Sequence, residues 1–341
     1  MDPQSLLLLT DRAPSDAAHA DTPPTPEPVA LGAVLTGDGE PLVDDLAFCA
    51  DVGIRLVRLD VPWRSAQPRA GRIDESVFER LHEHASDARR LGLQPWFRLL
   101  QVEVPLWFDD DGGFTDTATA ARWWPRWVEE VALRLGDVAA GWIPFEAPYA
   151  MARRLVPADP RRHGELMDSL VVAWRNAWRI LRGGPPVATS LDVATERPTD
   201  ESPESRAAAQ RRDQLRWGLW LDGLAHGRVR IPGRADRDLP DLEGACDVLG
   251  LAVRSDVARH LHRAQDQGPD RPMAVTFRPE GATDTERATS IASMWHDVDD
   301  ARRDLRVQSV TITPLLDRDG SPGIATERRQ VKDSGAAFLR A

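Results

Sequence analysis

From residue 29 onward the chain alternates short apolar runs with longer segments of helical period. Residues 29–35 are apolar, and 41–52 repeat their apolar positions at three- and four-residue spacing, which predicts a helix. Residues 54–61 then read as a strand that ends at Pro62-Trp63. Asp74 is placed to cap a helix through Leu91, with Val77, Phe78, Leu81 and His84 on recurring faces, and Gly92 closes it. A strand at 95–100, a helix at 117–135 and a turn at Gly136-Asp137 lead into a strand at 139–145 with the polar tip Glu146-Ala147-Pro148. The second half repeats the alternation. Helices are predicted at 164–181, 207–226, 285–305 and 333–339, and strands at 187–193, 246–253, 273–276 and 308–313.

Eight strands separated mostly by helices, without a Gly-x-Gly-x-x-Gly turn after the first, predict an α/β fold: a single-domain (β/α)8 TIM barrel over residues 29–341. A doubly wound sheet is the rival, and Gly37-Asp-Gly39 is too poor a fingerprint for it. Residues 1–28, rich in Pro, Ala, Asp and Thr beyond position 10, read as a disordered tail. The Leu6–Leu9 run is preceded by Asp2 and closed by Asp11 and Arg12, so no secretory signal is read there and a cytoplasmic location is expected.

A formal charge of −11 argues against a nucleic-acid partner, and no run approaches a membrane span of about 18 apolar residues. Cys49 and Cys246 lie in or beside apolar stretches and are expected as buried thiols. The tryptophans at helical spacing (123, 127, 174, 178, 217 and 220) suit packing between helices and barrel better than stacking on a sugar. In a barrel of this kind, chemistry sits at the carboxyl ends of the strands, which singles out Asp60, Glu103 and Glu146. His260 and His262 alternate as a strand face would place them, but a solvated or helical segment fits better than a ligand pair. No metal and no cofactor are expected.

Several segments resemble glycoside hydrolase family 1, the β-glucosidase-type barrels. Gly136-Asp137 followed by Trp142-Ile-Pro-Phe145 resembles the family's approach to its fourth strand, which reads Trp-x-Thr-x-Asn-Glu-Pro. Gly53 and Arg58 through Trp63 to Pro68 resemble its Tyr-Arg-Phe-Ser-x-x-Trp segment. Trp220 to Gly227, with Gly223 in place of a family Pro, Val248-Leu-Gly250, Leu315-Leu-Asp317 and Lys332-Asp-Ser334, with Val331 in place of the preceding Pro, resemble further markers in the family's order.

The resemblance implies a retaining mechanism with an acid/base and a nucleophile, two carboxylates on opposite sides of the scissile bond. Carried over residue by residue, the acid/base position falls on Ala147 and the nucleophile position on Phe277, with Glu146 in the place of the preceding Asn. The family's sugar-holding His-Trp becomes Gln101-Val102, and its Asn-Tyr becomes Ala252-Val253. Arg58 keeps the family arginine that braces the nucleophile and is free here to pair with another acid, and Glu146 is expected to form an ion pair with Arg58 or another of the many arginines. Glu280, three residues past the nucleophile position, is a loop acid able to turn inward or to stay solvated.

Three functions stay open at this point. The barrel binds or transforms a different small molecule in the cleft, sugar or non-sugar. It is an active β-glycosidase with a relocated pair, Glu146 plus another acid. Or it is a non-catalytic scaffold for a partner protein.

Overall fold

The structure, a computed structural model, describes residues 28–35, 43–100, 103–157, 159, 162–318 and 320–339. Residues 1–27 of the expected tail, and Gln101, lie outside the described residues.

Eight parallel strands form the barrel: β1 (Ala30–Leu35), β2 (Leu56–Asp60), β3 (Gln94–Arg98), β4 (Gly141–Ile143), β5 (Leu191–Asp192), β6 (Leu249–Val253), β7 (Met273–Phe277) and β8 (Val307–Ile312). Their order is β4-β3-β2-β1-β8-β7-β6-β5. The ring closes between β4 and the segment leading into β5. There Trp142 N donates to Pro186 O and Ala188 N donates to Trp142 O, each at 2.8 Å. A (β/α)8 barrel therefore stands where the alternation of runs predicts one.

The boundaries differ where the chain bends out of register. The strand expected at 187–193 pairs continuously only at Leu191–Asp192, with single bridges at Val187 and Ala188. The helix expected at 207–226 is a longer helical run in three parts: Pro203–Asp213, a π turn at Gln214–Gly218, and Leu219–His226. A short antiparallel pair, Arg228–Val229 with Arg237–Asp238, follows it.

Strand parity divides the core in two. Leu56, Trp96, Ile143, Ala188, Val248 and Ala274 fill the barrel interior. Their neighbours Val57, Phe97, Trp142, Leu249 and Val275 face the helices. This is the period-two alternation of a sheet closed on itself. Gly141 makes room for the indole of Trp96, because a Cβ there would lie 2.4 Å from the ring. Outside, the tryptophans pack against one another and the strands. Trp63 stacks on Trp127 with centroids 5.3 Å apart, and Trp174 meets Trp220 edge-on at 6.0 Å. Truncating one such buried ring costs about 3–5 kcal/mol.

Helix starts are fixed by side chains that the sequence marks. Asp74 accepts from Ser76 N, Asp116 accepts from Thr119 N, and Thr283 with Glu286 forms a capping box for Asp284–Ala301. These caps fix where each helix begins, and thereby how each loop leaves the rim.

Candidate functional site

A cleft of about 1000 Å³ opens at the carboxyl ends of the strands, with Asp60, Arg98, Glu146, Asp192, Thr276 and Arg278 in its walls. Asp60 and Arg98 are the last residues of β2 and β3 and stand opposite each other in register. Arg98 is 3% exposed. Its Nε and Nη2 each lie 2.5 Å from Asp60 Oδ1, while Nη1 donates to Glu146 Oε2. One guanidinium thus bridges the tips of β2 and β4 from the strand between them.

Burial pushes the Asp60 carboxyl up to about 6, against the pull of Arg98 and with help from the charge on Glu146. Arg98 is raised above its ordinary value because its two carboxylates outweigh the cost of burial.

Arg58 lies two residues below Asp60 on the same face of β2. Of the arginines open to Glu146, it is Arg98 and not Arg58 that pairs with it. The Nη1 of Arg58 instead crosses the barrel to donate to Thr276 Oγ1 at 2.5 Å. Burial lowers the Arg58 guanidinium to about 10, offset by Glu146 and reinforced by Arg98.

A second charged group lies at β5. Arg216, carried by the π turn, donates to Asp192 Oδ2 at 2.8 Å and to Glu196 Oε1 at 2.7 and 2.9 Å. Arg212 holds the other Glu196 oxygen at 2.8 Å. Asp192 is pushed up to about 6 by burial, with Arg216 opposing. π turns recur at functional sites because the extra residue re-aims a side chain. Here the re-aimed side chain is Arg216, which reaches the cleft.

The other residues singled out in the sequence are scattered. Ala147 lines the cleft at the start of helix Pro148–Leu155, in the left-handed region at φ 47°, which a non-glycine residue rarely occupies. Phe277 is buried among the residues facing the helices, and Thr276 faces the cleft in its stead. The motif placement of Phe277 in the site therefore does not hold for its side chain: parity turns Thr276 inward and Phe277 outward. Glu103 lines the cleft, is exposed to solvent, and pairs with Arg64 at 3.1 Å. Glu280 is exposed, contributes nothing to the cleft lining, and keeps to its loop, where its backbone N donates to Ser290 Oγ at 3.3 Å.

His260 and His262 lie in helix Val257–Gln267. His260 is buried edge-on against Trp217, its ring centroid 5.6 Å away, and His262 is half-buried. Among the described residues no group of three His, Cys, Asp or Glu gathers as a metal site. Cys49 and Cys246 are free and buried, each pushed up to about 12 by burial. Among those residues, no helix is long and apolar enough to cross a membrane.

Arg98, Asp192 and Arg216 were not among the residues the sequence singles out. Arg98 and Asp192 carry one usable signal: each is a charged residue near the end of an apolar strand, in phase with inward-facing neighbours. Arg216 has none of this kind, because its direction depends on the π turn.

No family model matches the sequence. Solved structures match it over most of its length. A family 1 β-glucosidase from Exiguobacterium antarcticum B7 superposes with a TM-score of 0.76 at 14% identity, covering 92% of this chain and 96% of that one. A β-glycosidase from Pyrococcus horikoshii gives 0.74 at 18% identity, covering 87% and 82%. The family 1 β-glucosidase from Thermotoga maritima gives 0.74 at 14%, covering 93% and 97%. The chain has the (β/α)8 fold of the family 1 β-glucosidases.

Proposed function

We propose that this barrel binds a small molecule in its cleft and does not carry out the retaining double displacement of the β-glucosidases whose fold it shares. The observation that carries the reading is the Arg98 guanidinium, hydrogen-bonded to Asp60 on one side and Glu146 on the other. Retaining chemistry needs two carboxyls about 5 Å apart with the scissile bond between them. Between these two carboxyls stands a buried cation, so a sugar cannot enter the gap without displacing it. The motif supports the same reading: the acid/base position carries Ala147, and β7 turns the Thr276 hydroxyl, not a carboxylate, toward the cleft. What remains is a preformed concavity with fixed polar groups, which suits recognition.

One observation favours a second reading, glycoside hydrolysis by a relocated pair. Asp60, held to about 6, is a carboxyl close to neutral pH and shares a guanidinium with Glu146. A general acid with that value is well matched to its task.

The test is turnover of a panel of aryl β-glycosides by the wild type, Glu146→Gln and Asp60→Asn. No release of the aryl group by any of the three is expected. Steady turnover by the wild type that either substitution abolishes would overturn the binding reading and support the relocated pair.

A further inference from the structure

Seven arginines and five carboxylates line the cleft of a chain whose formal net charge is −11. Every one of those five acids already has a cation. Asp60 and Glu146 share Arg98, Asp192 has Arg216, Glu103 has Arg64, and Asp45 has Arg318. Arg154 feels the charge of Glu103. Arg254 and Arg278 remain. Among the described residues, neither side chain makes an ion pair with or donates to any acid, including Asp256 two positions beyond Arg254.

Their placement is set by the sheet. Val253 and Phe277 are register partners at the ends of β6 and β7, and Arg254 and Arg278 are the residues that follow them. The two cations therefore leave adjacent strands, which lie about 4.8 Å apart, at the same rim of the cleft. Like charges so placed repel each other, and an oxyanion between them removes the repulsion. The planar fork of a guanidinium matches the oxygens of a carboxylate or phosphate. Helix Val257–Gln267 starts three residues after Arg254, so the positive end of its dipole adds to the field at this rim. Val253, Leu315 and Leu316 offer apolar surface in the same cleft.

We infer that Arg254 and Arg278 form an anion subsite, and that the molecule taken by the cleft carries a carboxylate or phosphate on an apolar body. This rests on the cleft-binding reading above and names the ligand class for it.

The test is isothermal titration of the full chain with three probes of one shape: benzyl phosphate, phenylacetate and benzyl alcohol. The two anions are expected to bind at least roughly tenfold tighter than the alcohol, and Arg254→Gln/Arg278→Gln to lose at least that factor for the anions alone. The preferred anion distinguishes phosphate from carboxylate. A third variant, Ala150→Trp, narrows the cleft and is expected to weaken all three probes.

Equal binding of anions and alcohol, unchanged in the double variant and weakened by Ala150→Trp, overturns the anion subsite and leaves the cleft reading standing. Anion binding lost in the double variant but intact in Ala150→Trp keeps the subsite and overturns the cleft reading. No binding of any probe at millimolar concentration overturns the inference.

Discussion

Along β2, β3 and β4 each charged residue at the strand tip meets its opposite, whereas along β6 and β7 two arginines stand at the tips without an ion pair among the described residues. The first side is a closed electrostatic unit. Asp60, Arg98 and Glu146 meet in a buried place, and removing Arg98 strands both carboxyls there. On the second side Arg254 and Arg278 are exposed to solvent. One side of the rim is internally paired, and the other carries the anion subsite proposed above.

The contrast can be broken most sharply at Arg98. Arg98→Met removes a fully buried cation between two carboxyls and is expected to cost about 3–5 kcal/mol in urea unfolding. Adding Asp60→Asn and Glu146→Gln to that variant is expected to recover part of the loss, since the stranded charges are gone.

The next effect is the response to pH. Asp60 and Asp192 each rise from an ordinary 3.8 to about 6 in the folded protein. Between those values the folded state binds more protons than the unfolded chain, so their contribution to stability is greatest below about pH 4. It falls as pH rises toward 6 and is level above that. Each carboxyl accounts for at most about 3 kcal/mol over this window, from 1.36 kcal/mol per unit. The check is the difference in unfolding free energy between wild type and Asp60→Asn, or Asp192→Asn, from pH 3.5 to 7 (roughly the span bounded by the two values). A difference independent of pH would contradict the shifts.

The smallest effect is expected on the other side. Arg254→Gln/Arg278→Gln should leave unfolding free energy within about 0.5 kcal/mol of wild type, as for surface positions without partners. A larger loss would show that the open side also holds the fold.

The barrel was legible because strand parity and helix caps are local. In 54–61, inward Leu56, Arg58 and Asp60 alternate with outward Val57, Leu59 and Val61, and the pattern states its own faces. The charged unit was less legible, because its bonds are not local. Arg98 lies 38 residues from Asp60 and 48 from Glu146, so nothing along the chain announces that the three meet. Arg58 was the more visible partner for Glu146, yet β3 lies between β2 and β4 and places Arg98 nearer. Phe277 shows a different gap. Motif spacing locates a residue along a strand but not on which face its side chain emerges, and a step of one residue reverses that face. The helical run from Pro203 to His226 could be read from its period, but one extra residue in a turn leaves the period almost unchanged.

That extra residue at Gln214–Gly218 makes the cleft sensitive to chain length as well as to side-chain chemistry. Deleting a single residue there would restore an ordinary α-helical turn and remove the local widening that aims Arg216 at the cleft. Asp213, just before the turn, holds the Arg263 guanidinium at 2.6 and 2.7 Å, while Arg216 within it spans Asp192 and Glu196, so the deletion is expected to shift Arg216 relative to both acids. An indel in this helix would therefore redraw the cleft with every one of its arginines still present.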